Sequence, residues 1–422
     1  MTDTRPPAAG GPPGPLGGIR VLDFTRHLAG PYATTIMGDF GADVIKIESV
    51  PTGDPARTIR MADEPKDRDG QAFIAYNHGK RSIAVDMRTE EGLALVHRMV
   101  ADADVVVENY RPGVAHQIGI GYEELRAINP RIVYCSISAF GQEGPWAERP
   151  ATDPVVQAMS GLISVTGHPG DPVRVGVPMG DIMGAMTGLQ GILMALLERE
   201  RSGEGQWIDV SLMHALAFTH TTRLAEYFAT GKAPEGQGTA HSTVAPYEVF
   251  PTKDRPVIAG SWTEDTWPRF CKALGVPAMA TDPRFATNPD RLANRPELRR
   301  VVTEIMEQRT AEEWEQEFAR AGALFGPVLT VPQMLEHPQM EKRPAVTEVT
   351  CSDDRVVKVP DSSSAIRMVR TSGGVALPPP LLSEHAVEIL DELGLEADEV
   401  KRLIESGAVR APRRVGGEHV GV

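Results

Sequence analysis

Short apolar runs alternate with stretches of helical spacing through the first third of the chain. "IRVLDF" (19–24) reads as a strand, "GPYATTIMGDFG" as a helix and "ADVIKIE" (42–48) as the next strand. "RSIAVDM" predicts a further strand, "EEGLALVHRMVADA" an amphipathic helix and "DVVVENY" (104–110) a strand. "YEELRAINP" predicts a helix ending before Pro130, and "RIVYCSISAF" a long buried strand. This alternation predicts an α/β fold: a large Rossmann-like domain with a parallel sheet covered by helices on both faces.

Open parallel sheets bind ligands at the carboxyl ends of their strands. Five predicted strand ends carry "TRHLAGP", "ESVPTGDPAR", "VDMR", "ENYRPG" and "SAFGQEGP". Their polar and basic groups suit a phosphate-bearing, nucleotide-like ligand. The pattern then changes. Residues 226–335 hold the loop "TGKAPEGQGTAHSTVAPYEVF", the strand "PVIAG" and the helix "AEEWEQEFARAG", and predict a smaller α/β domain. From 336 to 410, "EVTCSDDRVVKVP" and "SAIRMVR" read as strands, and "SEHAVEILDELG" and "ADEVKRLIESG" as helices. This segment is expected to return to the large domain begun at 18–225. The Pro/Gly-rich stretch 1–17 predicts a disordered tail, and 411–422 a loose one.

The length of 422 residues agrees with more than one core. The hydrophobic fraction of 41% and charged fraction of 24% are those of a soluble globular protein. No apolar run in the sequence approaches the roughly 18 residues of a membrane span. The net charge of −14 argues against nucleic acid or an anionic membrane as partner, and leaves room for a local basic pocket. Cys135, Cys271 and Cys351 are widely spaced, which disfavours a disulfide framework or a structural metal site and suits a reducing cytoplasm. The N-terminus lacks the layout of a signal peptide. No GxGxxG follows a strand, since "GIGYEE" lacks the third glycine; Walker A, HExxH and GxSxG sequences are absent.

One carboxylate stands out. "GVPMGDIMGAMTGLQGI" sets Asp181 among small and apolar residues. A helix over 182–200 would place Gly184, Gly188, Gly191 and Ala195 on one face. Each interior glycine costs about 0.8–1.0 kcal/mol relative to alanine, so that face implies close approach by another backbone or by a ligand. Asp181 just before the helix fits an N-cap. It equally fits a nucleophile toward an activated acyl group, kept ionised by the helix dipole. Local chemistry leaves both readings open.

The segments "GIRVLDFTRHLAGPYATTIMGDFGADVIKIE", "NHGKRSIAVDMR", "ADVVVENYRPG", "SISAFGQEGP" and "GDIMGAMTGLQGILMALLERERSGEGQWIDVSL" resemble the family III (CaiB/BaiF-type) CoA-transferases. "DPRFATNPDRLANRPEL", "RTAEEWEQEFARAG" and "GPV" follow in the same order. The resemblance implies CoA transfer between organic acids through an aspartyl nucleophile, here Asp181, with coenzyme A as substrate and no permanently bound cofactor or metal. It implies a two-domain fold whose large domain draws on both ends of the chain, and a homodimer of interlocked subunits. The expected CoA contacts are Arg26, His27, Leu28, Ala29, Val85, Asp86, Met87, Arg88, Asn109, Tyr110, Arg111, Thr152 and Asp153. Arg88 and Arg111 are the favoured partners for phosphate or adenine. The loop 235–243, with Gly236, Gly238 and His241, is expected to act as a flexible lid over the acyl group. Leu28 and Ile118 depart from members that carry Gln and a basic residue there, which disfavours formyl-CoA and carnitine transfer. The family also contains 2-methylacyl-CoA racemases, whose histidine base falls where this chain has Thr152, so transfer is favoured over racemisation. A CoA-binding homologue without activity is the remaining alternative.

Overall fold

A computed structural model describes residues 14–66 and 68–412. Six parallel strands form the main sheet: β1 Arg20–Asp23, β2 Asp43–Glu48, β3 Lys80–Ala84, β4 Val105–Glu108, β5 Val133–Ser138 and β6 Trp207–Ser211. Their order is β3-β2-β1-β4-β5-β6, so the direction of winding reverses between β1 and β4. The interior strands are apolar on both sides because helices cover both faces. On one face lie α1 Ala29–Asp39, α6 Met179–Ser202 and α7 Leu212–Thr219, packed with Val105, Val107, Cys135 and Ile137. On the other, α3 Glu90–Ala101 and α4 Tyr122–Ile128 join helices Ala386–Glu392 and Ala397–Glu405 of the returning C-terminal segment. The short helices α2 Gln71–Asn77 and α5 Asp153–Met159 complete the elements that matter for the site.

The chain divides into two compact units. The larger runs to Leu162, resumes over Val175–Thr221 and closes with the segment from Gln339; the smaller comprises Ile163–Arg174 and Thr222–Pro338. The smaller unit thus takes in 163–174, a stretch expected in the large domain. Its three-stranded antiparallel sheet, β7 Tyr247–Phe250, β8 Val257–Gly260 and β9 Leu324–Pro327, packs on α8 Trp267–Ala273, α9 Arg295–Met306 and α10 Ala311–Ala321. Of the two strands expected after 336, the first is a hairpin, Val346–Thr350 with Val356–Pro360. "SAIRMVR" forms no strand, and the chain there leaves a 3-10 turn over Ser362–Ser364.

The expected N-terminal tail lies outside the described residues up to position 13. The part within them is not loose: the Leu16 N–H donates to the Phe40 carbonyl at 3.0 Å. The expected C-terminal tail lies outside the described residues beyond 412.

The 24 residues of α6 are long and apolar enough, by length and composition, to cross a membrane. Its place in the fold gives another reason for that composition. Gly184, Gly188 and Gly191 face Leu212, Ile137 and Ile208, and a Cβ on them would lie 2.0, 3.0 and 2.9 Å from those side chains. The glycine face therefore lets the helix lie flat on the sheet. It is filled by core side chains, in place of the expected close approach by another backbone or by a ligand.

Candidate active site

The loops after β1 and β4 meet at the point where the sheet order reverses, the usual ligand crevice of such folds. The Arg26 N–H donates to Asn109 Oδ1 at 2.8 Å, and Asn109 Nδ2 donates to the Arg26 carbonyl at 2.8 Å. The Arg26 guanidinium lies 4.9 Å from the centre of the Tyr110 ring. Three of the expected contact residues are thus joined. His27 is exposed, holds a left-handed φ of 64° and donates its N–H to Asp54 Oδ1 at 3.1 Å. Leu28 precedes α1 and Ala29 begins it, and no side chain caps that first turn. Arg111 is exposed beyond Tyr110.

The loop 85–88 divides. Val85 is a core residue, 1% exposed and bridged to Val409. Met87 packs against the same core. Arg88 is exposed and forks onto Asp86 at 2.8 Å. A surface pair of this kind is worth little and opens easily toward a phosphate.

Beneath the first loop lies a buried ionic network that sequence reading missed. Lys80 Nζ donates to Asp23 Oδ2 at 2.9 Å and to the Pro31 carbonyl at 2.9 Å. Lys46 Nζ donates to the Thr25 carbonyl at 2.9 Å and pairs with Asp54 at 3.0 Å. Two buried ammonium groups thereby hold both ends of the segment 25–31. The signal was present in "ADVIKIE", where a lysine interrupts an apolar strand.

Asp181 is not an N-cap. The helix starts two residues earlier, at Met179 after Pro178, which puts Asp181 third in the first turn. The cap comes from Asp153, whose Oδ1 accepts the N–H of Gly180 at 2.6 Å and of Asp181 at 3.3 Å. A side chain at 180 would bring its Cβ within 2.9 Å of that oxygen, so any larger residue there would press on the cap. The other Asp153 oxygen accepts from Gln157 at 2.7 Å. Asp153 is buried and committed to the helix end, while Thr152 remains exposed beside it. The Asp181 side chain, by contrast, accepts no hydrogen bond among the described residues. Burial, and then the charge of Asp153, raise its pKa to about 7. This reverses the expectation of a carboxylate kept acidic by the helix end. The Tyr76 phenol stands nearby: burial, Tyr32 and the charge of Asp181 all hold it above its usual range. Asp153→Asn keeps one capping oxygen and removes the neighbouring charge. The acid limb of a pH–activity profile is expected to move to lower pH in that variant; an unmoved limb would show that Asp153 does not act on Asp181.

In the smaller unit, the loop 235–243 is seated rather than free. The Gly238 N–H donates to the Gly167 carbonyl at 2.6 Å, and a Cβ on Gly236 would lie 2.5 Å from that same oxygen. These glycines serve close backbone approach to Gly167 within the smaller unit. His241 lies against Tyr247 and Trp262.

A half-buried carboxylate with no donor on its oxygens among the described residues thus lies in the same unit as the sheet whose winding reverses between β1 and β4. The chain belongs to CoA-transferase family III, whose model matches residues 16–386. It is 37% identical over 385 residues to the succinate–glutarate CoA-transferase of Agrobacterium fabrum, covering 90% of this chain and 96% of that one. It is 41% identical over 347 residues to the acetyl-CoA:oxalate CoA-transferase of Acetobacter aceti, covering 81% and 87%. The crystal structure of a CaiB/BaiF family protein from Brucella suis superimposes with a TM-score of 0.80 at 37% identity, covering 90% of this chain and 99% of that one.

Proposed function

We propose that this enzyme moves CoA from an acyl-CoA donor to a carboxylic acid acceptor through covalent intermediates on Asp181. The observation that carries the reading is the half-buried Asp181 carboxylate with no hydrogen-bond donor on its oxygens and a pKa raised to about 7 by burial and Asp153. Such a group is more basic than an ordinary carboxylate and is ionised in about half the molecules at neutral pH.

The steps balance without ATP. One Asp181 oxygen attacks the thioester carbon of the donor, the C–S bond breaks, and an aspartyl anhydride and CoA thiolate form. The thiolate attacks the aspartyl carbonyl, expels the donor acid as carboxylate and leaves an aspartyl–CoA thioester. The acceptor carboxylate attacks that thioester carbonyl, releasing thiolate and forming a second anhydride. The thiolate then attacks the acceptor's acyl carbon, giving the product thioester and free Asp181. Both intermediates hydrolyse, so water must be excluded while they exist. Arg26, Asn109 and Tyr110 would hold the nucleotide end of CoA, with Arg88 and Arg111 as phosphate partners.

Two further readings belong here. The exposed apolar side chains Met194 and Leu197 on α6 and Phe218 on α7, 65, 67 and 82% accessible, support a second copy of the chain as partner, as interlocked dimers require. The three cysteines are unpaired and buried, which supports a reducing, cytoplasmic location.

The test is to incubate the protein with succinyl-CoA or acetyl-CoA, quench with hydroxylamine and map the product by mass spectrometry. A hydroxamate at Asp181 is expected; none with any donor would favour a CoA-binding protein without activity. The raised pKa of Asp181 would also suit a base that removes an α-proton, but exposed Thr152 supplies no second base. Rapid α-deuterium exchange in a chiral 2-methylacyl-CoA would overturn transfer in favour of racemisation.

A further inference from the structure

Glu108 is the last residue of β4, immediately before the turn Asn109–Arg111. Val106, two positions earlier, belongs to the core beneath α3 and α4, so Glu108 points to that same face of the sheet. It is 3% exposed. Its Oε2 accepts the Tyr110 N–H at 2.8 Å. The Ser136 hydroxyl, which accepts from Trp207 Nε1 at 3.0 Å, hydrogen-bonds the same carboxyl. The acid therefore holds the start of the turn. That turn continues into the paired hydrogen bonds between Asn109 and the Arg26 backbone and the contact of the Arg26 guanidinium with the Tyr110 ring.

A buried carboxylate is ordinarily matched by a cation. Among the described residues Glu108 forms no ion pair with lysine or arginine. What packs around it is neutral or acidic. On β6 the nearest charge is Asp209, a second carboxylate. On β5 the Tyr134 phenol and the Cys135 thiol are held protonated by burial and then by the charge of Glu108. Burial likewise holds the Tyr110 phenol above its usual range. Glu123 and Glu124 of α4 line the same cavity of about 370 Å³, and His116 there is taken by Glu124 at 2.5 Å. Burial, with Asp209 added, outweighs the two hydrogen bonds and raises the pKa of Glu108 to about 7.

We propose that Glu108 is a positioning residue for coenzyme A that works as the neutral acid, so that binding CoA draws a proton onto it. This rests on the reading that Arg26, Asn109 and Tyr110 hold the nucleotide end of CoA. That ligand brings a pyrophosphate and a further phosphate. A neutral Glu108 holds the Tyr110 N–H without repelling them, whereas an ionised one places a buried negative charge at the root of the turn. CoA therefore favours the protonated form, and by reciprocity protonation favours CoA. Affinity is highest below pH 7 and falls as pH rises through 7.

The test is calorimetric titration of CoA into the Asp181→Asn protein, which removes the other carboxyl that titrates near neutrality, and into the same protein carrying Glu108→Gln or Glu108→Ala. Each titration is run between pH 6 and 8.5 in two buffers of different ionisation enthalpy, so that protons taken up or released are counted. At pH 7 the parent should take up about half a proton more than Glu108→Gln does, and its affinity should fall about fivefold or more across the range. Glutamine keeps a neutral acceptor, so Glu108→Gln should match the parent at pH 6 and exceed it at pH 8.5. Glu108→Ala loses the acceptor and should bind more weakly than Glu108→Gln at every pH. A role confined to the fold would weaken both variants and leave proton uptake as in the parent; that result overturns the proposal. So does a Glu108→Gln protein that binds CoA less tightly than the parent at pH 8.5. If Glu108→Ala does not fold, Glu108→Gln decides alone. CoA that fails to bind the parent at any pH overturns the assignment of Arg26, Asn109 and Tyr110 and this inference with it. Failure of hydroxylamine trapping in the wild-type protein would overturn covalent transfer and leave the proton count standing.

Discussion

Asp181→Asn is expected to lower CoA transfer by about 10⁴-fold or more and, at the same time, to make the protein more stable above pH 7. The loss of activity follows from the chemistry, since an amide forms no anhydride. The gain in stability follows from the pKa. Burial and Asp153 hold the folded-state value near 7, against an ordinary carboxylate value of 3.8. The folded state therefore binds more protons than the unfolded state between those limits, and stability falls as pH rises through that window. Above pH 7 the full penalty is present. It is about 2 kcal/mol after allowance for the partial exposure of the side chain and for the helix N-terminus that favours its charge. Asparagine carries no charge and escapes the penalty, so its melting temperature should exceed that of wild type by about 2–3 °C at pH 8. The gap should close as pH falls toward 4. Activity and melting curves measured on the same samples between pH 5 and 8.5 check both halves. A variant less stable than wild type at pH 8 would mean that the carboxylate supports the fold; retained activity would remove Asp181 from the chemistry.

The strands, and the helices between them, were legible because their patterns are long and regular. "DVVVENY" and "RIVYCSISAF" lie in the middle of the sheet, and runs apolar on both sides have little else to form. The start of α6 was misplaced because the residue that caps it, Asp153, is 28 positions from Asp181 in sequence. A cap supplied from another helix leaves no local signature, and Asp181 with a glycine before it resembles a local cap. The same distance hid the purpose of the glycine face, since Ile137, Leu212 and Ile208 come from three separate elements. Neighbours in a motif need not point the same way: Val85 turns into the core while Arg88 turns out. "SAIRMVR" has the alternation of a strand but no partner edge, and alternation alone makes no hydrogen bonds.

Lys80→Met is expected to cost about 3–5 kcal/mol of folding stability, the largest loss from any single change in the large unit considered above. Lys80 and Asp23 are both fully buried and 2.9 Å apart. Burial alone would raise the pKa of Asp23, but Lys80 and Lys46 overturn that and hold it below the usual carboxylate range. Burial pulls Lys80 down to about 8, still above neutral, so the pair is ionised at pH 7. Methionine fills the same volume and leaves Asp23 charged with one cation fewer. The cost is that of an uncompensated buried charge rather than of a lost bond. Asp23→Leu combined with Lys80→Met removes both charges and should recover part of the loss. Recovery stays incomplete, because Asp23 also accepts from the Thr25 N–H at 2.9 Å and from the Thr34 hydroxyl at 2.8 Å. Urea midpoints for the two single variants and the double variant give the coupling between the residues, expected to exceed about 1 kcal/mol. The same change reaches function through the loop. Lys80 also holds the Pro31 carbonyl, and with it the first turn of α1 and the segment that carries Arg26 to Ala29. Lys80→Met should therefore raise KM for the acyl-CoA about tenfold, with a smaller fall in kcat, since Asp181 stands on a different helix. Equal stability of wild type and Lys80→Met would mean that Lys46 alone satisfies Asp23. Loss of stability with unchanged KM would mean that the network supports the fold without positioning the CoA loop.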